Sequence, residues 1–340
     1  MTEAPPAEVA AGWMAAMRRG DWEEAWRQTD RIELPRRARQ RHPGFVREPQ
    51  HLRWDGTPFE GRRVLVRCEH GLGDTLQFIR FVPQLAAIAR EVHVMVQPAL
   101  LELFAGAPQL GTVHNGWTEW WPPPPHEVEV EIMELAYALR VTAQTLPAPY
   151  PHLAGRVAGK LPVELLRDGA LRVGLLWAAS DWDASRSMPL ELLRPLLQLP
   201  GTRFFSLQQG DAGGDPRVTQ LGIEPLSRHT AAVVAAAAAV LELDLVITVD
   251  NMMAHLAGTL GRPTWVLLKH EADWRWMDGR PDSPWYPSLR LFRQEQPDRW
   301  DGVVERVAAA VAEMGSDPDS RLCRLLRTGS GPESGSDPIS

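Results

Sequence analysis

The chain has 340 residues, 44% of them hydrophobic and 23% charged, enough for one large or two medium globular domains and too well mixed for wholesale disorder. A formal net charge of -7 argues against a nucleic-acid phosphate-binding surface as its main business, yet admits a local basic cleft for a small anion. Two distant cysteines, Cys68 and Cys323, exclude a disulfide framework and lack the paired spacing of a structural zinc site. No basic-then-apolar leader opens the chain and the longest apolar run, 231–241, is short of a membrane span, so a cytoplasmic protein is expected.

Residues 8–34 carry Val9, Trp13, Met14, Met17, Trp22, Ala25 and Trp26 at helical spacing, interrupted at Gly20 and Asp21, where Asp21 suits the cap of a second helix. This predicts a helical hairpin. Its segment "GDWEEAW" resembles one tetratricopeptide unit, which cannot bury its own face and must dock on the rest of the chain. Residues 35–60, rich in Arg, Pro and His, read as a connector. From Arg63 the pattern becomes α/β: "RRVLVRC" is strand-like, residues 75–89 are amphipathic at helical period, "EVHVMVQ" is a second strand, and Pro98 opens a further helix. A proline run cannot be helix, and strand-like alternation comes after it over 127–132. Residues 146–161, with three prolines and two glycines, suit an interdomain linker. Strands are then expected at 171–177, 202–207, 244–249 and 264–268, an amphipathic helix at 300–314, and a disordered tail beyond Gly315. Lys160 and Lys269 are the only lysines, a bias attributed to genome base composition.

Four stretches carry candidate chemistry. In "RCEHGLGDTLQFIRF", Gly71 and Gly73 permit close approach of a ligand to a helix start, but Leu76 stands where a dinucleotide fingerprint needs its third glycine. Asp74, at the carboxyl end of a first strand, suits a general base, with helix capping as the competing role. In "VGLLWAASDWDASRSMPL", Arg186 with Ser185 and Ser187 forms a candidate diphosphate cradle; "DWD" superficially resembles a metal-binding Asp-x-Asp but comes after the wrong strand. In "LDLVITVDNMMAHLAGTLGRPTWVLL", Asp250 ends a buried strand, the N–H groups of Asn251, Met252 and Met253 can face a phosphate or sugar, His255 lies one turn on, and Gly258 permits close packing. Capping and a satisfied core histidine are the plainer alternatives there. In "EADWRWMDGRPDSPWYPSLRLFRQ", Trp274, Trp276, Trp285 and Tyr286 can stack on sugars or bases, and Arg275 or Arg280 can pair with phosphate; the alternative is a loop pinned to the core by its tryptophans.

In this order the stretches resemble the C-terminal region of bacterial tetratricopeptide-repeat proteins related to the lipopolysaccharide heptosyltransferases, glycosyltransferase family 9, over about residues 54–310. The resemblance implies an α/β GT-B fold: two Rossmann-like domains facing a cleft, behind a short helical hairpin. It divides the chain into hairpin and connector (1–55), acceptor-side domain (56–155), nucleotide-sugar domain (156–314) and tail (315–340). It implies inverting, metal-independent sugar transfer from a nucleotide diphospho-sugar to a glycan, lipid-linked saccharide or protein. No cofactor is implied, nor any nucleic-acid partner; peripheral membrane association and a protein partner on the hairpin are compatible with it. Asp74 matches the base, while Gly73, Ser180, Arg186, Gln208, Asp250, Asn251, Met252 and His255 form the donor side, with Trp274, Arg275 and Trp276 as the sugar-side loop. Relatives carry a small Thr and Ala at Asn251 and Met252 and an acidic residue at His229. The competing functions are a catalytically decayed binding module and, more remotely, an epimerase or hydrolase using Glu69 and Asp278.

Overall fold

A computed structural model describes residues 6–40, 42, 44, 46, 52–116 and 122–316. Two helices, α1 (Pro6–Arg19) and α2 (Trp22–Gln40), form the hairpin. Asp21 Oδ1 accepts the Glu24 N–H at 3.0 Å, which satisfies one of the free donors of the second helix. That helix passes Pro35 and ends at Gln40, beyond the expected boundary at 34. Tertiary anchoring explains the extension: Glu33 and Arg36 are a buried ion pair (Nε to Oε2, 2.7 Å), and Arg36 also donates to the Trp54 carbonyl. A lost helical hydrogen bond at proline is offset by these contacts.

The first sheet contains β1 (Arg63–Arg67), β2 (Glu91–Val96), β3 (Thr112–Asn115) and β4 (Val128–Glu131) in the order β3-β2-β1-β4. The second contains β5 (Leu171–Leu176), β6 (Thr202–Ser206), β7 (Glu224–Pro225), β8 (Leu245–Val249), β9 (Thr264–Leu268) and β10 (Leu289–Arg293) in the order β10-β9-β8-β5-β6-β7. Every pairing within both sheets is parallel. Helices α3 (Leu72–Phe78), α4 (Pro98–Phe104), α5 (Val233–Glu242), α6 (Met252–Thr259) and α7 (Asp301–Ser316) are the longer crossovers and the final helix. The helix expected over 75–89 begins at Leu72 and breaks into a 3-10 turn, Ile79–Phe81, and a short helix, Val82–Ala86, because Pro83 cannot continue the ladder. Strands β3, β7 and β10 were not expected from the sequence; all three are edge strands, whose more exposed faces weaken the pattern. The final helix runs on to Ser316; Cys323 and the expected disordered tail otherwise lie outside the described residues, as do Trp117 to Trp121.

Side chains alternate between two cores, as pleating requires. From β8 and β9, Val246, Val266 and Leu268 join an apolar cluster that also holds Val64 and Val66 of β1, Phe78, Trp22, Trp26 and Trp285. Leu245, Ile247, Val249, Trp265 and Leu267 face the other way, against Val303, Val304 and Val307 of α7. The first cluster is thus continuous through the hairpin, the first sheet and one face of the second. No helix among the described residues is long and apolar enough to cross a membrane.

Candidate functional site

In each sheet the strand order reverses once. The chain runs from β1 to β2 to β3 and then places β4 on the other side of β1; it runs from β5 to β6 to β7 and then places β8 on the other side of β5. Open parallel sheets bind ligands beyond the carboxyl ends of the strands at such reversals. The Gly-rich turn comes directly after β1, and the loops that carry Arg186 and Asp250 come after β5 and β8. Their helices α3 and α6 bring them face to face. A Cβ added to Gly73 would lie 2.8 Å from the His255 ring and 3.5 Å from Met252 Cα, so only glycine permits this approach.

Asp74 is the third residue of α3. Its Oδ2 accepts the Gly71 N–H at 2.9 Å, closing the helix start, and its Oδ1 accepts from Arg275 Nη2 at 2.6 Å. Capping and a place in the crevice therefore coexist in one carboxylate. Arg275 comes from the 3-10 turn Trp274–Trp276 and also donates to Asp273 Oδ1 and Gln77 Oε1, both at 2.9 Å. It ties the second sheet's loop to α3 of the first. On the other lip of β1, Glu131 ends β4; burial, with the charges of Glu134 and Asp74, pushes its carboxyl up to about 7. Cys68 is buried and free, and burial pushes its thiol far up, so it is no nucleophile.

Across the crevice, Arg186 donates to the Asp250 carbonyl at 3.2 Å and to Ser180 Oγ at 3.4 Å. Asp183 is held by Lys269 Nζ at 2.7 Å, and the same ammonium reaches Ser185 Oγ at 3.0 Å. The second carboxylate of "DWD" is thereby neutralised by a lysine, and among the described residues no three His, Cys, Asp or Glu side chains converge as metal ligands. Asn251, not Asp250, caps α6: its Oδ1 accepts the Met253 N–H at 2.9 Å, so that donor is not free for a phosphate. Asp250 is buried, and burial together with Asp273 pushes it up to about 6 despite the Trp276 indole and the Arg186 and Arg275 charges. Gln208 accepts the N–H groups of Trp177 and Ala178 (3.2 and 3.0 Å), shaping the β5 loop from beneath.

His255 is buried, shares a 3.0 Å hydrogen bond with the Tyr286 hydroxyl and stacks on Trp276 (centroids 5.4 Å apart). Burial and the charges of Arg275, Arg80 and Arg186 push it down to about 3, which keeps the imidazole neutral. Gly258 lies against Tyr286, 2.6 Å from an added Cβ. The aromatic loop is pinned rather than open. Trp285 stacks on Trp22 of the hairpin at 4.8 Å, Trp274 meets Trp13 edge-on at 5.2 Å, and Trp276 is buried. Arg80, buried in the 3-10 turn after α3, donates to the Trp285 carbonyl at 2.6 Å. Arg280 pairs with Asp282 instead of facing the crevice.

The structure thus brings Asp74, Gly73, Arg275, Asp250, Arg186, Ser180, Asn251, Met252 and His255 to one crevice. Sequence reasoning missed Lys269, Asp273, Gln77 and Glu131. Lys269 had a signal: it is one of only two lysines and stands directly after a strand.

No family model matches the chain. Protein FlbA of Caulobacter vibrioides is 30% identical over 305 residues, covering 77% of this chain, but the chain spans only about half (48%) of that protein's length. Among solved structures, a glycosyl transferase family 9 protein from Veillonella parvula superposes with a TM-score of 0.52 at 13% identity, covering 79% of this chain and 98% of its own. The iron-containing dodecameric glycosyltransferase TibC from enterotoxigenic E. coli superposes with a TM-score of 0.51, also at 13% identity, covering 79% of this chain and 78% of its own. These likenesses establish the fold: two parallel-sheet units facing a crevice, the GT-B arrangement, here carrying an N-terminal helical hairpin.

Proposed function

We propose that the chain is an inverting glycosyltransferase, heptosyltransferase-like in chemistry, that moves a sugar from a nucleotide diphospho-sugar to a hydroxyl of a glycan, lipid-linked saccharide or protein. One observation carries the reading: the strand reversals of both sheets open on the same crevice, with a carboxylate, Asp74, at one and the Arg186 and Lys269 cations at the other. In the reaction, Asp74 accepts the proton of the acceptor hydroxyl as its oxygen attacks the anomeric carbon from the face opposite the leaving group. The bond from that carbon to the diphosphate oxygen breaks, and the nucleoside diphosphate leaves with the electron pair. Arg186 and Lys269 offset that charge by trading Asp183 for phosphate oxygens, and Ser180 and Ser185 supply hydroxyls beside them. A divalent ion has no step to perform.

The test is release of nucleoside diphosphate from ADP-, GDP-, UDP- and dTDP-sugars in the presence of mixed glycan, lipid-linked and protein acceptors, with and without excess EDTA. Turnover that survives chelation is expected with one donor; turnover lost to EDTA and restored by Mg²⁺ would overturn the metal-free mechanism. A second reading, a sugar-nucleotide-binding module without turnover, is favoured by one feature: both oxygens of Asp74 are already engaged, by Arg275 and Gly71. Binding of a nucleotide sugar with no transfer under any acceptor would select it.

A further inference from the structure

We propose that Trp182 is the stacking platform for the nucleobase of the ligand whose diphosphate sits on Arg186 and Lys269. The inference rests on the proposed glycosyltransferase function and deepens it by assigning the base-binding end of the site. Trp182 lies in the loop after β5, at the strand reversal of the second sheet, within the 3-10 turn Asp181–Arg186. It is 85% exposed, whereas every other tryptophan among the described residues is buried or half-buried. Single exposed apolar side chains are ordinary on protein surfaces; Trp182 is set apart by its place beside the Arg186 guanidinium, in a turn tied to Lys269.

The ring is presented by a braced turn. Asp183, directly after it, is extended (φ -145°, ψ 88°) and breaks the helical path. Its carboxylate accepts from the Ser185 N–H at 3.1 Å and from Lys269 Nζ at 2.7 Å, which fixes the turn to the end of β9. The Arg186 guanidinium lies 5.5 Å from the indole centroid, covering one face and leaving the other open. A flat ring on the open face would therefore be within reach of the cations and hydroxyls of Arg186, Lys269, Ser180 and Ser185, the layout that a nucleoside diphosphate requires at its two ends. Aromatic platforms accept any base, because each has a π-face.

Calorimetric titration decides the matter, using ADP, GDP, UDP, dTDP and inorganic pyrophosphate on the wild-type chain, Trp182→Ala and Trp182→Phe. Trp182→Ala should weaken the tightest nucleoside diphosphate by about tenfold or more, the scale of a lost base–aromatic stack, while pyrophosphate binding changes less than twofold. Trp182→Phe should restore most of the loss. Unchanged nucleotide binding in Trp182→Ala, or equal losses for nucleotide and pyrophosphate, would overturn the platform and leave the proposed function standing. A wild-type chain that binds neither nucleotide nor pyrophosphate would overturn both.

Discussion

His255 and Asp250 sit one turn apart in the crevice and titrate in opposite senses. His255 is pushed down from its ordinary 6.5 to about 3, so on acidification the unfolded chain takes up the proton first; its contribution to stability is full above pH 6.5 and drains away between 6.5 and 3. Asp250 is pushed up from 3.8 to about 6, so the folded chain takes up the proton first, and its burial penalty is relieved as pH falls from 6 towards 3.8. Between pH 6 and 4 the two nearly cancel. Replacing His255 by Gln removes one side of the balance. Relative to wild type, His255→Gln should gain about 1.4 kcal/mol for each unit by which pH is lowered across that window, read from urea unfolding at a series of pH values. Parallel stability profiles for the two proteins would show that His255 is not held neutral.

At the scale of elements, the contact between α3 and α6 depends on a missing side chain. Gly73→Ala would drive a Cβ to 2.8 Å from a His255 ring that is itself stacked on Trp276, so neither helix can yield freely. A loss of about 1–3 kcal/mol is expected, partly recovered by adding His255→Ala; no loss in Gly73→Ala would mean that the helices part without cost. The hairpin makes a different kind of contact. Trp22 fills a site between the hairpin and Trp285, and Trp26 Nε1 donates to the Val141 carbonyl, so the pair of helices touches both sheet units. Trp22→Ala should cost about 3–5 kcal/mol, measured as the shift in chemical unfolding; a loss below about 1 kcal/mol would mean that the hairpin is an appendage. Strands β8 and β9, buried at every position, were legible because buried parallel strands are near-continuous apolar runs with clear ends. The reach of α2 past Pro35 was not, because the Glu33–Arg36 pair that anchors it is closed by Trp54 and Leu52 from a separate segment.

The molecule as a whole is held by a core that runs unbroken through hairpin, first sheet and second sheet, and its crevice is bridged at Asp74 and Arg275. Both residues stood out in the sequence, one in a Gly-rich turn and the other in a tryptophan-rich loop. Their pairing across 201 positions did not, since no local spacing encodes a contact between loops of two different sheets. The same distance hid the packing of the aromatic loop: Trp274 and Trp285 meet the hairpin, a contact visible only once Trp13 and Trp22 are in place. Catalysis by this arrangement requires that Asp74 receive a proton while Arg275 keeps it oriented. The most direct test is transfer by Asp74→Asn with a donor that the wild-type chain turns over. A fall of about 10² to 10⁴ in kcat is expected from loss of a general base, with the nucleoside diphosphate Kd within twofold of wild type; undiminished turnover in Asp74→Asn would contradict the crevice as the site of chemistry.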